Sequence, residues 1–195
     1  APDRRWTVES TSGDLEDDGM SLPCQSSRYA DPDAIGSLVR TYQTTPGPGR
    51  TTPADRRQSV SAFQSTELSA TPRAARRAYS TTTGWYAGCP EERVQLLDTY
   101  AVDGLGDAAT LLVLRSWRAP VTTVVVGVAR SGQVTTTTMT RATGSDRPDV
   151  GRHASLLAAA VNSLCGAQGA GTCAGPPEAV AIAPPKECPT MTARR

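Results

Sequence analysis

The stretch from Val94 to Arg141 constrains this chain most. It holds four segments, VQLLDTYAV, ATLLVLRSW, VTTVVVGVAR and QVTTTTMTR, each dense in Val, Thr and Leu. β-Branched and aliphatic residues at this density read as strands. The links between them are short, and RSGQ offers Gly132 for the positive φ that a tight hairpin needs. Consecutive strands with short links form an antiparallel meander. The four threonines Thr135 to Thr138 predict that the last of these strands keeps one face in solvent.

Helical signals flank the meander. In SATPRAARRAYSTTTGWYAGC, Thr71 caps, Pro72 opens the helix, and Ala75, Ala78, Tyr79, Thr82, Trp85, Tyr86 and Cys89 recur at steps of three and four. Asp149 caps a second helix with a stripe of Val150, Ala154, Leu157, Ala158, Val161, Leu164 and Cys165, ended by Gly166. A shorter helix is expected in DPDAIGSLVRTYQ, with Asp31 as cap and Ile35, Leu38, Val39 and Tyr42 on one stripe. RQSVSAFQSTEL alternates weakly and reads as a strand. The expected fold class is therefore α+β: an antiparallel sheet meander packed against two amphipathic helices and braced by disulfides. One structural domain is expected, with an N-terminal extension over residues 1–54 carrying the short helix, a core over 55–175, and a Pro-rich tail over 176–195. That tail needs covalent or strand contacts to stay ordered.

Charge narrows the partners. A formal net charge of +1 without a basic block argues against nucleic acid. No apolar run reaches the roughly 18 residues that span a bilayer. The chain opens on APDRR, which reads as a mature or trimmed ectodomain, and any membrane contact is expected only through an anchor outside this stretch. GDLEDDG lacks the alternating acidic spacing of a calcium loop and reads as a solvated turn.

The five cysteines, Cys24, Cys89, Cys165, Cys173 and Cys188, form no C-x-x-C pair, and His153 is the single histidine. Neither a metal site nor a cofactor is expected from such a set. Widely spaced cysteines without metal spacing fit disulfides and an oxidising, extracytoplasmic location. Cys89 and Cys165 both end an apolar helix stripe. If the two helices pack side by side, these cysteines reach bridging distance, and Cys24 with Cys173 is then the natural second pair. Spacing leaves Cys24–Cys188 open as well. Cys188 is otherwise a free or intermolecular thiol.

The order SVSAFQS, AYSTTTGWYAGC, VVVGVARSGQVTTTT and LLAAAVNSLCGAQGAGTC resembles the extracellular sensor-like domains of actinobacteria, typified by PknH-type receptor-kinase ectodomains and related stand-alone lipoproteins. The resemblance covers roughly residues 55–175 and rests on element order, a W-x-x-x-C and an L-C. It implies two disulfides bracing an α+β domain with a ligand-binding cleft, the helix–helix bridge falling on Cys89 and Cys165. The fifth cysteine departs from the four-cysteine pattern.

No catalytic constellation stands out. Cys89 and His153 are the one Cys–His candidate, but His153 lies about 18 Å along its helix from Cys165, which Cys89 is expected to meet. No G-x-S-x-G, Walker loop or H-E-x-x-H occurs. For recognition the candidates are Trp85, Tyr86, Trp117 and Arg130, because aromatics and arginine dominate binding hot spots. With Phe63 the lone phenylalanine, the core competes for both tryptophans. The leading expectation is a non-enzymatic, extracytoplasmic, sensor-like domain binding a small ligand or cell-envelope component. The alternatives are a secreted cell-wall enzyme and a structural interaction module.

Overall fold

The computed structural model describes residues 4–13, 23–46, 60–171 and 173–182. Its strands are β1 (Arg4–Ser12), β2 (Gly36–Pro46), β3 (Val60–Leu68), β4 (Val94–Asp103), β5 (Ala108–Ser116), β6 (Thr122–Ser131), β7 (Val134–Thr143) and β8 (Glu178–Ala181). Two helices join them, α1 (Pro72–Ala87) after β3 and α2 (Val150–Asn162) after β7. The caps are those expected: Thr71 Oγ1 accepts from the Ala74 amide and Asp149 Oδ1 from the Arg152 amide.

All eight strands form one antiparallel sheet in the order β1-β2-β3-β7-β6-β5-β4-β8. The β4–β7 meander matches the sequence reading. β3 pairs with β7, and this joins the meander to a second one made of β1, β2 and β3. β8 pairs with the outer edge of β4, which supplies the strand contact the tail requires.

Successive antiparallel pairs make β3 parallel to β4 and β7 parallel to β8, so α1 and α2 are both crossover connections. Both run toward the β8 edge, but they leave from antiparallel neighbours. Crossovers are right-handed almost without exception, which sends these two to opposite faces of the sheet. The packing agrees. Leu111, Val113, Val125 and Ala129 pack with Ala154, Leu157, Ala158 and Val161 of α2, whereas Leu112, Leu114, Val126, Val128, Phe63 and Met139 pack with Tyr86 of α1. A strand covered on both faces needs a continuous apolar run, and LLVL in β5 provides it.

This layering corrects three expectations. The threonines of β7 are not wet: Thr135 to Thr138 are all buried. Odd positions face α1, where Thr135 Oγ1 donates to the Ala75 carbonyl at 3.1 Å. Even positions face α2, where Thr140 Oγ1 lies 3.1 Å from His153 Nδ1. Residues 31–42 do not form a helix. Asp31 Oδ1 accepts from the Asp33 amide in a tight turn, and the chain then enters β2 with Val39 buried against β3. The N-terminal segment is therefore part of the sheet.

The third correction concerns the disulfides. The four expected cysteines are bridged, but as Cys24–Cys89 and Cys165–Cys173, with Cα separations of 4.7 and 5.5 Å. Cys89 follows the end of α1 at the sheet end where α2 begins. Cys165 follows the end of α2 at the other sheet end and on the other face. The expected Cys89–Cys165 bridge therefore fails on both face and end. Cys188 lies outside the described residues, as does the acidic turn at residues 14–18.

Each bridge secures a loop against the sheet. Further along the chain from Cys24, at the sheet end opposite that bridge, the buried Glu67 carboxylate of β3 accepts from the Ala30 and Asp31 amides at 3.0–3.1 Å. Burial pushes the Glu67 carboxyl up, while those amide bonds pull it down. The Cys165–Cys173 loop lies against the β6–β7 hairpin, where the Gln133 amide donates to the Gly169 carbonyl at 2.8 Å. Gly132 takes φ +62° there, and a Cβ on it would stand 2.6 Å from that same carbonyl oxygen.

Candidate functional site

The four recognition candidates do not come together. Tyr86 is 1% exposed in the core between α1 and the sheet, and burial pushes its phenol pKa up. Trp85, its neighbour on α1, is half-buried. Arg130 is buried at the far end of β6, where its Nη1 donates to Asp107 Oδ2 at 2.6 Å. The same oxygen accepts from the Gly132 amide at 2.9 Å, so this ion pair ties the β4–β5 turn to the β6–β7 hairpin. Trp117 lies at the other end of the sheet, roughly 30 Å from Arg130 along the strand direction.

Trp117 is the candidate that remains at the surface, 48% exposed. Its ring is held in place. The Trp117 amide donates to the Arg93 carbonyl at 2.8 Å, extending the β4–β5 ladder by one residue. Its indole Nε1 donates to Gln95 Oε1 at 3.2 Å. The Arg115 guanidinium sits 5.5 Å from the ring centroid, in cation–π range. Arg115 is fixed in turn: Nη2 donates to the Ser145 carbonyl at 2.7 Å and lies 3.4 Å from Thr123 Oγ1. Its buried Nε has no hydrogen-bond partner among the described residues.

Arg115 and Trp117 share a sheet face because they are two residues apart on a strand. That face is the α2 side, beyond the first turn of α2. The segment leading into α2 contributes further along the same face. Arg147 reaches back toward β4, where the nearby Tyr100 hydroxyl and Asp98 carboxylate raise its pKa. A β-bulge between Leu96 and Asp98 puts Asp98, and with it Tyr100, on the same sheet face as Gln95. The result is an indole immobilised by Arg115 and Gln95, with Arg147, Tyr100 and Asp98 grouped further along the same sheet face, Tyr100 lying opposite Leu111 and so about 20 Å from Trp117 along the strand. Such a surface offers stacking, cation and hydrogen-bond contacts at small ordering cost.

Sequence reasoning found Trp117 but not Arg115, Gln95 or Arg147. The R-S-W spacing on a strand was the available signal for Arg115. The Arg147–Tyr100 contact joins residues from different elements and leaves no local trace.

A cleft is less developed. A cavity of about 10 Å³ lies under the Cys165–Cys173 loop, lined by Ala129, Ser131, Val134, Thr136, Val161 and Leu164 among others, and it is large enough for one water. Among the described residues no group of three or more His, Cys, Asp or Glu side chains is placed to hold a metal ion. No helix among them is long and apolar enough to cross a membrane. Cys89, bonded to Cys24, is on the opposite face from His153, so the Cys–His pair is not assembled.

His153 has a structural consequence instead. Burial, with Arg152 adding to it and Asp149 opposing, lowers its pKa from 6.5 to about 4. The folded value lies below the unfolded one, so its contribution is complete above pH 6.5 and is lost as pH falls toward 4. We expect about 2 kcal/mol less stability at pH 4.5 than at pH 7 from this group. Urea midpoints at the two pH values should show a smaller acid loss in His153→Gln than in the wild type. An equal loss in both proteins would contradict this assignment.

Comparison with family models, with curated proteins and with solved structures gave no match. The site is therefore read from its own chemistry.

Proposed function

We propose that this chain is a non-enzymatic, extracytoplasmic, sensor-like domain that binds a small ligand or a cell-envelope component through the Trp117 patch. The observation that carries this reading is the half-exposed indole held by Gln95 and Arg115. Leaving a large aromatic ring in water wastes its burial energy, and fixing it there favours a partner that stacks on it. The two disulfides fit an oxidising compartment outside the cytoplasm. The resemblance to actinobacterial sensor-like domains supports the same placement.

The test is calorimetric titration with soluble cell-envelope fragments, muropeptides and acidic glycans, against wild type and Trp117→Ala. Trp117→Ala should weaken binding about 30-fold, the scale of a hot-spot residue, with an unchanged melting temperature. Unchanged affinity in the variant would refute the site. Mass spectrometry showing a fragment chemically altered after incubation would refute the non-enzymatic reading.

A further inference from the structure

The outward face of α1 carries a feature that neither the fold nor the Trp117 patch uses. Arg73, Arg76 and Arg77 are exposed on the first two turns, and the face continues through Ser80, Gly84 and Ala87, also exposed. Among the described residues none of the three arginines forms an ion pair, and the first turn contains no acidic residue. Two local rules disfavour this arrangement. Cations at a helix N-terminus oppose the helix dipole. Like charges three and four residues apart, here Arg73 with Arg76 and with Arg77, repel each other. Helix stability does not account for three guanidinium groups in these positions.

From this we infer that the Arg73–Arg76–Arg77 face of α1 docks on an anionic lipid bilayer. The shape favours a plane over a small anion. The arginines stand on the convex outward face of a helix, and the short exposed residues that follow, Ser80, Gly84 and Ala87, let the helix lie flat. Guanidinium groups pair with lipid phosphates through parallel N–H donors. The sequence alone placed membrane contact only in an anchor beyond this stretch. The helix face adds a direct contact and orients the sheet parallel to the bilayer.

The experiment is co-sedimentation of the full chain with vesicles of phosphatidylcholine alone or of equimolar phosphatidylcholine and phosphatidylglycerol. Each arginine near an anionic surface contributes about a fivefold gain in partition, so the three together contribute about 100-fold. The wild type should bind the anionic vesicles at about 0.01 M salt and release at about 0.15 M, as screening shortens the range of attraction. R73Q/R76Q/R77Q should lose about 100-fold in partition while keeping or raising its melting temperature, since the dipole and like-charge conflicts are relieved. R118Q/R152Q, which removes two exposed arginines elsewhere, should lose markedly less. The inference is overturned if the wild type ignores anionic vesicles, if it binds neutral vesicles equally well, or if the two variants lose binding to the same extent.

Discussion

Replacing Cys24 and Cys89 together by serine should lower stability by about 4 kcal/mol. The bridge closes 65 residues of chain, a span that includes β2, β3 and all of α1. In the chain-entropy view a cross-link acts on the unfolded ensemble, and its effect grows with the logarithm of the loop it closes. For a chain of this size that loss corresponds to a fall in melting temperature of roughly 8–16 °C. The Cys165–Cys173 bridge closes only 8 residues, and its removal should cost roughly 2–3 kcal/mol. The order of the two effects is more diagnostic than either magnitude. Calorimetry of the two double-serine variants checks it, and a larger loss from C165S/C173S would contradict the assigned pairing.

Leu157→Ala should be the most damaging single truncation on the α2 side, at about 3–4 kcal/mol. Leu157 is fully buried and projects from α2 onto β6 at Gly127. A Cβ on Gly127 would stand 3.1 Å from Leu157 Cδ2, 3.0 Å from Leu111 Cδ2 and 2.7 Å from Thr138 Oγ1. Gly127 is thus the hole for the Leu157 knob. Gly127→Ala alone overpacks that hole and should cost about 1–3 kcal/mol. In the double variant the new methyl group occupies space vacated by leucine, so the losses should fall short of additivity by about 1 kcal/mol. Urea denaturation of the four proteins completes the cycle. Strict additivity would mean that α2 does not rest on β6 at this point.

What the sequence disclosed was local. The strands of the meander and both long helices follow from residue periodicity and caps within a few positions of each other. Residues 31–42 misled because Ile35, Leu38, Val39 and Tyr42 satisfy a helical stripe, while Val39 and Thr41 equally alternate with Leu38, Arg40 and Tyr42 as in a strand. Pairing with β3 decided between these patterns, and that partner is distant in sequence. The burial of the β7 threonines depends on the same non-local fact, since β7 becomes a central strand only when β3 docks beside it. Once β3 and β7 are neighbours, crossover handedness sends the helices to opposite faces, and the side-by-side pairing of Cys89 with Cys165 is lost. At the candidate site, the indole and its strand neighbour Arg115 were within reach of strand periodicity. Arg147 was not, because the contact depends on how the β7–α2 loop folds back over β4.

The bridge pattern tests the central claim, a sheet clasped by one oxidised pair at each end, most directly. Non-reducing tryptic mapping separates the alternatives, because Cys24 falls in the fragment Trp6–Arg28, Cys89 in Ala78–Arg93, and Cys165 with Cys173 in His153–Lys186. The expected result is 6–28 joined to 78–93, with 153–186 running alone and closed on itself. A fragment joining 78–93 to 153–186, or alkylation of all these thiols without reductant, would contradict it.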